Sequence, residues 1–163
     1  MKNSIAICPG SFDPVTNGHL DIITRASHMF DRVIVVVAYN ADKKHCFTPE
    51  ERVEMIKKCI PNLKNVEVVH FDGLLADYAA ARGATAIIKG LRAMSDFEYE
   101  FQMALTNKKL NPNVETLFLT TDAQNMYLSS SMVRQIASMN GDISSFVPEA
   151  IRQDIIDRIN SKK

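Results

Sequence analysis

The residues best suited to chemistry lie in a short stretch near the N-terminus, over residues 8–20. A β-rich apolar run ends there at Pro9 and Gly10, and apolar residues with helical spacing begin after His19. Glycine between a strand and a helix lets a ligand approach the backbone, and the free N–H groups of a first helical turn attract phosphate. The stretch therefore predicts a phosphate site with His19 beside it. The same pattern is compatible with ordinary helix capping. The residues at the ends of the other strands are needed to distinguish a phosphate site from a simple helix cap.

The composition indicates one compact domain that spans residues 1–163. The chain is 46% hydrophobic and 23% charged, and its 19 basic and 19 acidic side chains give a formal net charge of zero. Such a balance offers no bulk attraction to nucleic acid or to an anionic membrane, so we expect neither as a partner. Three cysteines and four histidines show no metal-ligand spacing, which predicts reduced thiols and no zinc. Because the N-terminal apolar run is too short for a signal sequence or a membrane span, we expect a cytoplasmic protein.

Hydrophobic periodicity predicts five strands that alternate with helices. The predicted strands are residues 4–8, 32–39, 66–70, 85–88 and 115–120, and the predicted helices include residues 18–29, 74–82, 95–110, 132–141 and 148–160. A further helix opens at Thr48 with a capping box and a following proline, and Gly83 is suited to end the 74–82 helix. Since β-α-β crossovers are nearly always right-handed, the prediction is an α/β fold, a single-domain doubly wound five-stranded parallel sheet of Rossmann-like type.

Polar and charged residues follow each predicted strand, at the same edge of the sheet. In chain order they are Ser11 and His19, Lys43 and Lys44, residues 72–75, Lys89 and Arg92, and residues 127–131. Ligands of such sheets bind beyond the carboxyl ends of the strands, where the strand order reverses. Each group also has a structural alternative, because paired lysines are common on solvated loops and serine commonly caps helices. Their convergence at one edge favours a shared anion site.

The groups at this edge stabilise anionic oxygens and include no evident covalent nucleophile. Histidine, lysine, arginine, serine hydroxyls and helix N-termini are present, whereas the sequence has no Gly-x-Ser-x-Gly elbow and no Walker lysine motif. This combination predicts phosphoryl or nucleotidyl transfer that depends on positioning and charge compensation.

Two motifs give the chain a resemblance to a known family. Thr16-Asn17-Gly18-His19 and the later Leu-Ser-Ser-Ser-Met-Val-Arg over residues 128–134 match the paired signature of the nucleotidyltransferase superfamily. Within it, the chain resembles the bacterial phosphopantetheine adenylyltransferases over essentially its whole length. This closer resemblance is carried by three segments, Pro9-Gly10-Ser11-Phe12-Asp13-Pro14, Gly90-Leu91-Arg92 and Asp96-Phe97-Glu98-Tyr99-Glu100.

The resemblance implies a nucleotidyltransferase fold and a defined reaction. The phosphate of 4′-phosphopantetheine attacks the α-phosphorus of ATP, which gives dephospho-coenzyme A and pyrophosphate in the fourth step of coenzyme A biosynthesis, with Mg²⁺ as the assisting cofactor. The resemblance further implies a homohexamer, a dimer of trimers, that coenzyme A inhibits by feedback.

The resemblance also assigns roles to residues. His19 is the implied catalytic residue, which contacts the α-phosphate and stabilises the transition state. The implied ATP-binding residues are Ser11, Phe12, His19, Gly90, Leu91, Arg92, Glu100, Asn125, Met126, Tyr127, Leu128, Ser129, Ser130 and Ser131. Those implied for the acceptor phosphate are Ser11, Lys43 and Lys89, and those implied for the pantetheine arm are Leu75 and Asn107.

Two positions depart from the residues that are usual in the family. Ser11 stands where threonine is common and keeps the hydroxyl, so we expect little effect. Lys89 stands where arginine is usual and keeps the charge without the bidentate fork. We therefore expect the acceptor phosphate to be held more loosely or in another geometry.

Two other functions share most of these residues. A sister enzyme that adenylates nicotinamide mononucleotide, or transfers a cytidylyl group to an alcohol phosphate, would carry the same two motifs. A non-catalytic adenine-nucleotide sensor on the same fold is the second alternative. Such a sensor needs no transition-state donor, and the combination of Ser11, His19, Lys43 and Arg92 argues against it.

Overall fold

Five parallel strands form one sheet with helices on both of its faces. The computed structural model describes residues 4–39 and 44–161. The strands are β1 (Ile5–Gly10), β2 (Arg32–Ala38), β3 (Val66–Phe71), β4 (Ala86–Leu91) and β5 (Glu115–Thr120). The helices are α1 (Asn17–Met29), α2 (Pro49–Cys59), α3 (Leu75–Arg82), α4 (Met94–Leu110), α5 (Ser130–Ser138) and α6 (Glu149–Asn160), and a 3₁₀ turn covers Ala123–Asn125. In the described part of the chain, no helix is long and apolar enough to cross a membrane.

The sheet is buried on both faces, as the nearly continuous Val and Ile run of β2 predicts. Val33, Val35 and Val37 belong to a core shared with α1, α2, α5 and α6. Ile34 and Val36, which alternate with them, belong to a smaller core under α3. Successive residues of a strand point to opposite faces, so both faces of β2 are covered. The predicted doubly wound parallel sheet is confirmed.

The order of the strands reverses at β1. The sheet order is β3-β2-β1-β4-β5, so the chain first builds outward through β2 and β3 and then returns to the other side of β1 for β4 and β5. The connections that leave β1 and β4 therefore diverge and open a crevice at the carboxyl ends of these two strands. Most of the residues predicted for the site meet there.

Two helix boundaries that local sequence signals predict are confirmed. Glu51 N–H donates to Thr48 Oγ1 at 3.2 Å, and Thr48 N–H donates to Glu51 Oε2 at 2.8 Å, with Pro49 in the first turn of α2. Gly83 ends α3 with a φ of 65°, a left-handed conformation that glycine adopts without steric cost. Local capping chemistry therefore defines these ends without help from the rest of the fold.

The carboxyl ends of β1 and β4 differ from the sequence prediction, which ended these strands at residues 8 and 88. β1 continues to Gly10, which lies opposite Val37 of β2, and β4 continues to Leu91, which lies opposite Thr120 of β5. The prediction was wrong because each glycine is itself paired with a neighbouring strand, Gly10 with β2 and Gly90 with β5, and this pairing is not visible in the local sequence.

Candidate active site

A cavity of about 580 Å³ opens at the carboxyl ends of β1 and β4. Its wall combines the ends of these strands with the starts of α1 and α5, which are far apart in the sequence. Most of the residues predicted for the site line this cavity: Ser11, Phe12, His19, Lys89, Gly90, Arg92, Glu100, Asn125, Leu128, Ser129, Ser130 and Ser131. The crevice between the two strands is therefore the place where the predicted residues converge.

Five predicted residues that the structure describes do not line the cavity: Leu75, Leu91, Asn107, Met126 and Tyr127. Leu75 packs against the smaller core at the start of α3, and Asn107 is buried within α4. Met126 and Tyr127 are exposed. Lys43 lies outside the described residues, although the neighbouring Lys44 lines the cavity.

His19 closes the first turn of α1 with its own imidazole. Thr16 N–H donates to His19 Nδ1 at 3.0 Å, and His19 N–H donates to Thr16 Oγ1 at 3.4 Å, which together form a capping box. A ring nitrogen that accepts a hydrogen bond carries no proton, so the proton of the neutral ring lies on Nε2. The Phe12 ring packs edge to face with the imidazole, with ring centroids 5.0 Å apart. The imidazole is thus held in one orientation and one tautomer.

The His19 imidazole is uncharged at neutral pH. Its pKa is lowered from 6.5 to about 4, chiefly by burial and then by the positive charges of Arg92 and Lys89. His19 therefore presents a neutral N–H donor to the cavity and leaves the positive charge to its neighbours.

Lys89 and Arg92 are paired with carboxylates of α4. Lys89 Nζ lies 3.2 Å from Glu100 Oε1, and Arg92 Nε donates to Asp96 Oδ2 at 3.1 Å. Arg92 Nη1 also donates to the carbonyl oxygen of Leu128. These contacts hold both cations at the cavity wall, where an anionic ligand would compete with the carboxylates for them.

The three serines at the start of α5 combine structural contacts with exposure to the cavity. Ser129 caps the helix, because its Oγ accepts a hydrogen bond from Met132 N–H at 3.1 Å. Ser130 Oγ donates to the carbonyl oxygen of Pro14 at 2.7 Å, and Ser131 Oγ lies 3.1 Å from Ser129 Oγ. The capping interpretation therefore holds for Ser129, while all three serines also line the cavity.

The sequence prediction gave no role to Asp13 and Arg134, which organise one wall of the cavity. The Asp13 carboxylate accepts hydrogen bonds from Cys46 N–H at 2.8 Å and Phe47 N–H at 2.9 Å. Arg134 Nη1 donates to the Asp13 carbonyl oxygen and lies 3.7 Å from Asp13 Oδ2. Arg134 lies one helical turn after Ser130, on the same face of α5, and this spacing is a signal that could have identified it.

The described residues do not form a metal site of their own. Within residues 4–39 and 44–161, no group of three or more His, Cys, Asp or Glu side chains is placed to hold a metal ion. The cavity carboxylates Asp96 and Glu100 are paired with cations. Because Mg²⁺ at phosphate sites is held mostly by water and phosphate oxygens, a Mg²⁺ ion here would be held mainly by the ligand.

Cys8 lines the cavity but is not a nucleophile at neutral pH. Burial raises the pKa of its thiol to about 12, and the nearby Lys89 charge opposes this shift only in part. The cavity wall thus offers hydrogen-bond donors and cations, which can stabilise charge that develops on phosphate oxygens.

Comparison with known proteins finds relatives for nearly the whole chain. A model of the cytidylyltransferase-like family matches residues 7–136. A phosphopantetheine adenylyltransferase of Clostridium tetani (strain Massachusetts / E88) is 56% identical over 159 residues, which cover 98% of this chain and 99% of the relative. A protein of the same name from Clostridium botulinum (strain Eklund 17B / Type B) is 58% identical over 154 residues, which cover 94% of this chain and 97% of the relative.

Among solved structures, a putative nicotinate-nucleotide adenylyltransferase from Vibrio parahaemolyticus superimposes with a TM-score of 0.66 and covers 96% of both chains. The two sequences are only 18% identical, so this likeness supports the fold alone.

We expect the His19 ring of the ligand-free protein to stay neutral, with its proton on Nε2, as the pH is lowered from 7 to about 5. The reason is that its pKa of about 4 lies below this range. Nitrogen-15 NMR of the ring nitrogens measures both the charge and the tautomer, and the exposed His28 imidazole gives a comparison in the same spectra. A His19 ring that gains its second proton near pH 6.5 would contradict the burial and the neighbouring charges described above.

Proposed function

The chain belongs to the phosphopantetheine adenylyltransferases of the cytidylyltransferase-like family, and we propose that the cavity at the carboxyl ends of β1 and β4 is its active site. The protein transfers the adenylyl group of ATP to 4′-phosphopantetheine, and the products are dephospho-coenzyme A and pyrophosphate. The observation that carries the site assignment is the meeting, at one cavity, of His19 and the three serines that open α5.

ATP binds between the starts of α1 and α5. Helix N-termini attract phosphate, and the Arg92 guanidinium at the same wall can bind it through two donors. The side chains and backbone groups that bind ATP are those of Ser11, Phe12, His19, Gly90, Leu91, Arg92, Glu100, Asn125, Met126, Tyr127, Leu128, Ser129, Ser130 and Ser131.

The phosphate of 4′-phosphopantetheine binds beside Ser11 and Lys89, with Lys43 as a third contact. Its pantetheine arm extends toward Leu75 on α3 and Asn107 on α4. These two helices are neighbours, since Asn111 Nδ2 at the end of α4 donates to the carbonyl oxygen of Ala76 on α3 at 3.2 Å. Because α3 and α4 are neighbours, both helices can contact one extended pantetheine arm that leaves the cavity.

The reaction is a single displacement at phosphorus. An oxygen of the acceptor phosphate forms a bond to the α-phosphorus of ATP while the bond from that phosphorus to the β-phosphate oxygen breaks, and pyrophosphate leaves with the electron pair. Negative charge grows on the oxygens of the five-coordinate phosphorus and on the leaving pyrophosphate. His19 donates its Nε2–H to an α-phosphate oxygen, and Lys89 and Arg92 neutralise the flanking charge.

Mg²⁺, the implied cofactor, would supply additional positive charge beside the phosphates of ATP. The described carboxylates do not form a metal site of their own, so the ion would be held mainly through the ligand and water. The protein's own contribution is to hold the two phosphates in line and to provide donors around them.

The protein assembles as a homohexamer, a dimer of trimers. An apolar face of α4 supports assembly, because soluble monomers rarely expose a large contiguous apolar patch. Met94, Phe97, Phe101 and Leu105 recur every three to four residues and so share this face, and all four are exposed. Phe97 and Phe101 stack on each other with centroids 5.4 Å apart, so part of the patch is already ordered in one chain.

Coenzyme A inhibits the enzyme by occupying the same cavity. It contains both the pantetheine arm of the acceptor and the adenine nucleotide of ATP, so it can use contacts made by each substrate. The enzyme works in the cytoplasm as one step of coenzyme A synthesis.

Pyrophosphate release with ATP as the donor tests the choice of acceptor. We expect turnover with 4′-phosphopantetheine and at most trace turnover with nicotinamide mononucleotide, because the acceptor contacts extend along a flexible arm beyond the cavity. Turnover is measured at equal concentrations of the two acceptors with the same enzyme preparation. Release with nicotinamide mononucleotide but none with 4′-phosphopantetheine would contradict the assignment.

Replacement of His19 separates its role in chemistry from its role in the helix cap. For His19→Ala we expect kcat to fall on the order of 10²–10³-fold, with a much smaller change in the KM for either substrate, because the lost donor acts mainly in the transition state. The Ala variant also loses the acceptor of the Thr16 N–H, one of the two hydrogen bonds of the capping box, which costs about 1 kcal/mol of unfolding free energy, while Thr16 Oγ1 still accepts from the backbone N–H of residue 19.

His19→Gln is the matched control, since glutamine can still accept the Thr16 N–H in a capping box. We expect its unfolding free energy to stay close to that of the wild type while kcat remains low. An alanine variant with near-native kcat would remove His19 from the mechanism.

Light scattering after gel filtration tests the assembly. We expect a mass of six chains for the wild type and a smaller species for Leu105→Glu, because that change places a charge within the apolar surface of α4, where Leu105 is 57% exposed. Met29→Glu at the end of α1 is the matched control, since Met29 is 54% exposed outside this surface. A monomeric wild type, or equal dissociation of both variants, would contradict the proposal.

A further inference from the structure

Arg52 of α2 is the largest fully buried side chain of the described protein and has no role in the site as described so far. Its Nη1 donates to the carbonyl oxygen of Ser11 at 2.7 Å and to that of Ala38 at 3.3 Å. Its Nε donates to the carbonyl oxygen of Thr48 at 3.3 Å. One guanidinium thus joins the loop after β1, the end of β2 and the start of α2.

Ser11 and Phe12 form the peptide that Arg52 holds, and this peptide belongs to the cavity wall. Phe12 has a φ of 48°, in the left-handed region that a residue with a side chain seldom adopts. Such a conformation persists only where the surroundings enforce it. The hydrogen bond from Arg52 to the Ser11 carbonyl oxygen is a contact that enforces it, because rotation of this peptide would break that bond.

The orientation of this peptide has a direct consequence for ligands. In a planar trans peptide the carbonyl and the N–H point in opposite directions. The Ser11 carbonyl points to the buried Arg52, so the Phe12 N–H points away from Arg52, and both residues line the cavity. Among the described residues, the Phe12 N–H has no hydrogen-bond acceptor. It is therefore available to a phosphate oxygen.

The Arg52 charge lies beneath the same loop. Burial lowers the pKa of the guanidinium, and the Asp13 carboxylate opposes this shift most strongly, but an arginine stays charged throughout the neutral range. Asp13 also lies 3.7 Å from Arg134 Nη1. The buried Asp13 carboxylate thus attracts both guanidinium groups, which lie near the loop that faces the phosphates.

We propose that Arg52 is a positioning residue that fixes the Ser11–Phe12 peptide with its N–H directed at the phosphates of the bound substrates. The proposal rests on the assignment of this cavity as the active site. Arg52 touches neither substrate and acts through the peptide that it holds.

The test compares Arg52→Met and Arg52→Lys with a matched control elsewhere in the fold. Methionine removes the charge and all three hydrogen bonds, whereas lysine keeps the charge but lacks the several N–H donors of the planar guanidinium. The control is Asn65→Leu. Asn65 Nδ2 also holds two carbonyl oxygens, those of Ser27 at 2.8 Å and Phe30 at 3.0 Å, but it precedes β3 at the edge of the sheet opposite the cavity.

Three quantities are measured for each variant: the free energy of unfolding, the dissociation constant of ATP without acceptor, and the Michaelis constant for the acceptor 4′-phosphopantetheine. We expect Arg52→Met to raise both the dissociation constant of ATP and the KM for the acceptor by about tenfold, because the hydrogen bonds of a charged donor to the Ser11–Phe12 loop are lost. We expect both constants of Arg52→Lys to lie between those of the wild type and those of Arg52→Met. We expect Asn65→Leu to lose stability while both ligand constants stay within about twofold of the wild type.

A purely structural role would lower only the fraction of folded enzyme and would leave both ligand constants unchanged. Wild-type ATP affinity in a destabilised Arg52→Met protein would therefore overturn the proposal. If Arg52→Met does not fold, the test uses Arg52→Lys instead. An unchanged ATP dissociation constant and an unchanged acceptor KM in Arg52→Lys would overturn the proposal as well. A wild-type protein that binds ATP without turnover of 4′-phosphopantetheine would instead contradict the proposed function, and ATP binding by the variants would still test Arg52.

Discussion

Several positively charged side chains lie close together at one cavity, and their mutual repulsion must be offset before any ligand binds. A polyphosphate site needs several cations close together, and the ligand-free protein places three of the cavity cations beside carboxylates. The pairs are Lys89 with Glu100, Arg92 with Asp96 and Arg134 with Asp13. Burial, and then the positive charges of Arg92 and Lys89, lower the pKa of His19 and keep its ring neutral. Phosphate can therefore replace the carboxylates at these cations without a prior change in the charge of the imidazole.

The fold could be predicted from the sequence because its signals are local. The two-sided apolar run of β2 indicates a strand covered on both faces, and the capping box at Thr48 defines the start of α2. The carboxyl ends of β1 and β4 could not be predicted in the same way. Gly10 and Gly90 resemble strand ends in their local sequence, yet each pairs with a neighbouring strand that is distant in the sequence.

The same distinction, between local sequence signals and contacts distant in the sequence, applies to the residues of the site. Lys89 and Arg92 lie at the carboxyl end of β4, and His19 lies in the helix that follows β1, so the rule that ligands bind at the carboxyl ends of parallel strands was enough to bring them together. The contact between Asp13 and Arg134 joins residues 121 positions apart and depends on how α5 packs over the loop after β1. Arg52 was missed for a related reason, because a charged residue within an amphipathic helix is expected at the surface and its burial follows only from the packed structure.

A structure with a non-reactive ATP analogue and 4′-phosphopantetheine bound would show whether these separate segments form one site for two phosphates. We expect His19 Nε2 to lie about 3 Å from an α-phosphate oxygen, within hydrogen-bond distance. We also expect Lys89 to have left Glu100 for the acceptor phosphate. An α-phosphate bound away from His19, with Lys89 still paired to Glu100, would contradict the account.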